Sequence, residues 1–141
     1  MILRPSRPAA GFTLLEMLVV LAILGLATAL LVARGIGPGP AVQARAAADA
    51  VAATLRDARG RAIRDDRFVT VAVDVAAHAL RPTDAPPLPL PRALAIAGTP
   101  AIRFAPDGSS SGGQIALTGG GVRAVVSVDW LTGRVLRAAK P

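Results

Sequence analysis

Gly11-Phe12-Thr13-Leu14-Leu15-Glu16-Met17-Leu18-Val19-Val20 opens an apolar run that continues to Ala33 as LAILGLATALLVA. From Phe12 to Ala33 the run carries one charge, Glu16, and no proline. As a helix it is about 33 Å long at 1.5 Å per residue, enough for a bilayer core of about 30 Å. Met1–Gly11 ahead of it holds Arg4 and Arg7 and no acid. A secretory signal has a shorter apolar region, about 7–15 residues, followed by a small-residue cleavage site. Here the small-residue break, Pro8-Ala9-Ala10-Gly11, comes before the run. The pattern therefore predicts a single membrane helix over residues 12–34, behind a leader of residues 1–11. Its basic flank places Met1–Gly11 in the cytoplasm and the remainder across the membrane.

The rest of the composition narrows the function. The chain has 141 residues, room for one small domain beside the anchor. It contains no cysteine, which excludes disulfides and thiolate metal sites. His78 is the only histidine, which excludes multi-histidine metal centres. Phe12, Phe68, Phe104 and Trp130 are the only aromatics, too few for a base-stacking platform. The formal net charge is +7.

Glu16 is the anomaly of the apolar run, because a carboxylate inside a bilayer costs several kcal/mol. It stands about one turn into the helix, so an acid reaching for the interface is the plain reading. A carboxylate awaiting a partner charge on another chain is the functional one. The residues around it favour the second. Gly11-Phe12, a short basic leader and Glu16 five residues after Gly11 resemble the class III signal of type IV pilins and type II secretion pseudopilins. That resemblance implies cleavage by a prepilin peptidase between Gly11 and Phe12 and N-methylation of Phe12. It also implies that Glu16 sets assembly register against the amino terminus of a neighbouring subunit. Buried opposite charges of this kind select register more than they add stability. Gly25, Ala29 and Ala33 recur at i, i+4 and i+8, a spacing that permits close helix packing in membranes. An alanine-rich composition accounts for the same stripe equally well.

Beyond the anchor, residues 35–40 (Gly-Ile-Gly-Pro-Gly-Pro) predict a break. Helical periodicity returns over 41–66, with Val51, Leu55, Ala58 and Ala62 on one face and Asp57–Arg61 as an i,i+4 pair. From 67 to 141 the pattern predicts a β head. Phe68–Val75 alternates, with Val69, Val71, Val73 and Val75 on one face. Arg81–Arg92 holds five prolines and predicts a loop. Strands are expected at Ala93–Ala97, Ala101–Ala105, Gln114–Thr118, Val122–Asp129 and Arg134–Ala138. Their spacing suits an antiparallel meander or two small sheets.

Two carboxy-terminal stretches sharpen the resemblance. Phe104-Ala105-Pro106-Asp107-Gly108-Ser109-Ser110-Ser111-Gly112-Gly113 and Val128-Asp129-Trp130-Leu131-Thr132-Gly133-Arg134-Val135 resemble the F-x-P-D-G-S-S-x-G-G segment and closing hairpin of the GspH/FimT family. The Pro-rich middle is unmatched.

No enzymatic constellation stands out. Ser109, Ser110 and Ser111 lie in a Gly-rich turn with no base at fixed spacing, and His78 has no fixed neighbour. The turn lacks the phosphate-loop pattern, and Lys140 is the only lysine. Asp107 and Asp129 could suggest calcium, but the acids are dispersed, and Asp107 is expected to cap its own turn. Trp130 is expected to cover a sheet edge. Arg103, Arg123, Arg134, Arg137 and Lys140 gather toward the carboxy terminus and could form a phosphate-binding stripe. Arginine is spread over the whole chain, however, and a solvated surface is the better reading; nucleic acid is disfavoured as a partner.

The expectation is an α+β, pilin-like protein: a long amino-terminal hydrophobic helix followed by a small antiparallel β-sheet head. The resemblance implies a non-catalytic, cofactor-free minor pseudopilin near the tip of a type II secretion pseudopilus. It would sit in the bacterial inner membrane with its head in the periplasm. Its partners would be major and minor pseudopilins, the prepilin peptidase and secreted cargo. The alternative is a type IV pilus minor pilin of the FimT/FimU kind, serving pilus priming or DNA uptake.

Overall fold

The computed structural model describes residues 13–33 and 38–140. They fall into two compact units divided between residues 37 and 38.

The first unit contains helix α1, Leu14–Ala33. Thr13 caps it: its hydroxyl accepts the Glu16 N–H at 3.2 Å, and its carbonyl accepts the Met17 N–H. Thr28 returns its hydroxyl to the Leu24 and Gly25 carbonyls, which removes a free polar group from the apolar surface. Leucine, valine, isoleucine and alanine occupy all sides of the cylinder. Such a helix has no polar face to turn to water.

The second unit begins with α2, Pro40–Arg64, so Pro40 belongs to the helix and not to the expected break. Proline suits this first position because its missing N–H would have no partner there. The Gln43 amide donates to the Pro38 carbonyl at 2.7 Å. The helix stops at Arg64, two residues short of expectation. Asp66 takes a left-handed conformation (φ 47°), and the Arg67 N–H returns to the Ala62 carbonyl. This is the Schellman closure usually supplied by glycine. Asp66 gave no such signal in the sequence.

Eight strands follow: β1 Val69–Asp74, β2 Ala79–Pro82, β3 Leu88–Pro89, β4 Ala95–Gly98, β5 Ala101–Phe104, β6 Gly113–Gly119, β7 Val122–Val128 and β8 Val135–Lys140. They form two antiparallel sheets, ordered β3-β2-β1-β5 and β4-β6-β7-β8. The Pro-rich stretch is thus not a plain loop. Pro89 sits in the edge strand β3, and Pro82 ends β2 beyond the residues that β3 pairs with, so neither missing N–H breaks a central ladder. Leu90 is buried at its end. In β1 the alternation holds for Val69 and Val71, which pair with Phe104 and Ile102 and are fully buried. Val73 is half-buried, and Val75 lies beyond the strand and is exposed.

Helix α2 lies against strands of both sheets. Its buried face is Ala44, Ala47, Ala48, Val51, Ala52, Leu55, Ala58 and Ala62, the predicted face extended by four alanines. Short side chains let the helix approach the sheets closely, and Leu55, Val126, Ile115, Leu117 and Phe104 fill the space between.

Candidate functional site

Two regions carry functional features, and each is described by itself. The first is α1. All the side chains described there are exposed, including Leu14, Leu15, Leu18, Leu21, Leu26 and Val32. Residues Leu14–Val32 are long and apolar enough to cross a membrane. Glu16 lies in the first turn, where a carboxylate is favoured by the helix dipole. Its N–H is bound by Thr13, and its side chain is exposed. Gly25 and Ala29 lie one turn apart on the same helix, followed a turn later by Ala33. A Cβ at Gly25 would meet nothing within 4 Å. Gly11 and Phe12, the expected cleavage and methylation positions, lie outside the described residues.

The second region is one end of the head, where the two carboxy-terminal stretches singled out in the sequence meet. The Ser110 N–H donates to the Trp130 carbonyl at 2.9 Å, and the Ser110 hydroxyl donates to the Asp129 carbonyl at 3.0 Å. Each turn is also closed internally. Asp107 accepts the hydroxyl of Ser109 at 2.6 Å and its N–H at 2.9 Å. Asp129 accepts the N–H and hydroxyl of Thr132 at 2.7 and 2.8 Å. These bonds hold both carboxyl groups below the usual carboxylate range: the Ser109 hydroxyl is the main cause for Asp107, the Thr132 N–H for Asp129. Asp107 therefore caps its own turn as expected. The serines are turn-closing groups as well: the Ser111 N–H donates to the Arg103 carbonyl, and its hydroxyl accepts the Arg103 N–H.

Arg59 of α2 ties this double turn to the helix, its Nε–H donating to the Gly108 carbonyl at 3.0 Å. Gly133 fits beneath because it has no side chain: a Cβ there would lie 2.1 Å from the Gly108 oxygen, at φ +62°. Sequence reading missed Arg59. The turn residues announced themselves, but nothing in a linear pattern links them to a helix some fifty positions earlier.

Trp130 is 66% exposed, so it does not bury itself over a sheet edge. With Thr99, Gly112, Asp129 and Leu136 it lines an open groove. The five carboxy-terminal bases do not form one stripe. Arg103 lies on β5 of the first sheet, its guanidinium 3.8 Å from the Phe68 ring centre. Arg137 pairs with Asp49 of α2. Arg123 pairs in register with Lys140, at the opposite end of the β7–β8 ladder from Val128 and Val135, the end that Arg134 precedes. His78 sits at φ 48° in the turn between β1 and β2, with its Nδ1 unpartnered.

Comparison with known proteins follows this geometry. Residues 6–32 match the prokaryotic N-terminal methylation motif, and residues 47–132 match the family described as type II transport protein GspH. The type II secretion system protein H of Xanthomonas campestris pv. campestris is 34% identical over 140 residues, covering 92% of this chain and 83% of that protein. The fold is similar to the minor pseudopilin EpsH from the type 2 secretion system of Vibrio cholerae. That match has a TM-score of 0.60 at 14% identity, over 69% of this chain and 97% of the other. It is also similar to the type IV minor pilin FimU of Pseudomonas aeruginosa, with a TM-score of 0.56 at 18% identity, over 70% and 88% of the two chains. A methylation motif opening an apolar helix, followed by a two-sheet head locked by its carboxy-terminal turns, agrees with these likenesses: the chain belongs to the GspH family of type II secretion pseudopilins.

Proposed function

We propose that this chain is a minor pseudopilin that works by assembly and not by catalysis, near the tip of a type II secretion pseudopilus. Prepilin peptidase removes Met1–Gly11 and the new amino group on Phe12 is methylated. The anchor stays in the inner membrane, and the head faces the periplasm. There it joins other major and minor pseudopilins and supports export of folded cargo across the outer membrane.

The observation that carries this reading is Glu16. It is the lone acid of an otherwise apolar, exposed helix, and among the described residues its carboxylate has no ion-pair partner. In a low-dielectric bundle it needs an opposite charge, and the Phe12 amino terminus of a neighbour supplies one. Gly25, Ala29 and Ala33 provide the close-packing stripe for that neighbour's helix.

The test is the intact mass of the membrane-extracted protein beside a Gly11 substitution. A chain beginning at N-methyl-Phe12, with uncut precursor in the variant and loss of secretion, supports the proposal. A chain that keeps Met1–Gly11, or one cut after the apolar run, overturns it. Co-purification with named pseudopilins, set against type IV pilins, identifies the machine.

A further inference from the structure

The head holds a cationic notch that the turn-locking role of Arg59 does not use up. Arg56 and Arg59 of α2 face Arg134 across it, with Gly133, Val135 and Leu136 completing its walls. Arg56 and Arg134 are exposed and Arg59 is half-buried. Among the described residues no carboxylate stands within ion-pair distance of any of the three. Elsewhere on the head, guanidinium groups meet acids: Arg61 with Asp57 at 2.8 Å, Arg81 with Asp74 at 2.9 Å, Arg67 with Asp84 and Arg137 with Asp49. The nearby carboxylate of Asp129 is committed to Thr132. Asp129 offsets Arg134 in part, and Arg56 and Arg59 add two positive charges that no acid pairs with, an excess that favours an external anion.

The surroundings distinguish which anion. Leu136 lines both this notch and the adjoining groove, which adds the exposed indole of Trp130 and the carboxylate of Asp129. A nucleic-acid backbone would meet apolar surface there with no apolar group of its own to set against Trp130 and Leu136. A peptide with acidic and apolar side chains meets guanidiniums for its carboxylates and Leu136 and Trp130 for its apolar groups. We infer that the Arg56–Arg59–Arg134 notch with the Trp130–Leu136 groove is a docking surface for an acidic, partly apolar segment of a partner protein. The inference deepens the assembly reading, on which its biological meaning rests, by giving the head one contact face.

The test uses the full chain in detergent micelles. Trp130 is the only tryptophan, so its fluorescence reports directly on the groove. The probes are a synthetic Asp-Leu-Glu-Leu-Asp-Leu peptide, its Asn/Gln counterpart and a 12-base-pair DNA duplex. Expected is a saturable Trp130 response to the acidic peptide only. Arg56→Gln with Arg134→Gln should weaken it at least tenfold, while Arg123→Gln, the same kind of charge loss at the far end of the β7–β8 ladder, leaves it within twofold. Absence of a response, equal weakening by Arg123→Gln, or preference for the duplex would overturn the inference. None of these results bears on amino-terminal processing or secretion, which decide the assembly reading separately.

Discussion

Arg59 and Gly108 stand 49 positions apart in sequence, yet the guanidinium Nε–H of one donates to the carbonyl of the other at 3.0 Å. This bond joins α2 to the turn Ala105–Ser109, and through Ser110 to the hairpin after β7. Replacing Arg59 with methionine keeps much of the stem but leaves a half-buried carbonyl without its donor. A hydrogen bond to a charged group contributes about 1.5–3 kcal/mol. The variant should lose about that much stability in urea unfolding of the detergent-solubilised chain. A loss under a few tenths would show the bond to be dispensable.

Gly133→Ala should cost more. The left-handed conformation alone costs a residue with a Cβ roughly 1–2 kcal/mol. Here the added carbon also runs into the Gly108 oxygen and the Arg59 side chain. Thermal unfolding should drop below that of the Arg59 variant, and near-ultraviolet circular dichroism of Trp130 should change with it.

Leu55→Ala tests the centre of the head. Leu55 is fully buried among both sheets, and its truncation should cost about 2–5 kcal/mol. The urea midpoint of the detergent-solubilised chain reads this directly, and an unchanged midpoint would show that the neighbours of Leu55 close the cavity.

Glu16→Gln should leave the head's unfolding midpoint unchanged and abolish incorporation into filaments. Removing one partner of a buried ion pair costs about 3–5 kcal/mol, a factor of a hundred or more in subunit binding. Quantitative immunoblotting of sheared pseudopili reads this directly. Normal incorporation would remove Glu16 from any register role.

Asp129, Asp107 and Asp74 all titrate lower in the folded head than an ordinary aspartate. For Asp74 the main cause is the Ala77 N–H, with Arg81 second. Their contribution is present above the unfolded value of about 4 and is lost as pH falls through the lower folded values. The urea midpoint should therefore decline below pH about 4 and stay level from there to neutrality, as far as these groups decide it. Asp129→Asn should flatten the acid limb. An identical limb in the variant would mean the Thr132 bonds do not distinguish the charged form.

What the sequence made legible follows from period and punctuation. The face of α2 repeats every turn, and the strands from β5 to β8 are bracketed by glycines, so both could be read in one dimension. The Pro-rich segment misled because proline is hostile to central strands and tolerated near sheet edges, and edge position is a property of the sheet. Asp66 ended α2 in a conformation associated with glycine. The Arg56–Arg59–Arg134 notch was invisible because an arginine's worth depends on which acids lie near it. The lone acid at Glu16 was plain, since polarity in an apolar run needs no third dimension to be noticed.

The ion pair between Asp49 and Arg137 spans 88 positions, and α2 also touches strands β6, β7 and β8. The first described element of the head is thus held by the last described strand. Chains that stop before β8 leave the part of α2 that β8 covers open to wrong partners. Folding governed by such distant pairings is slow compared with that of a helical bundle. A head built this way stays unfinished until β8 is released, whatever compartment receives it.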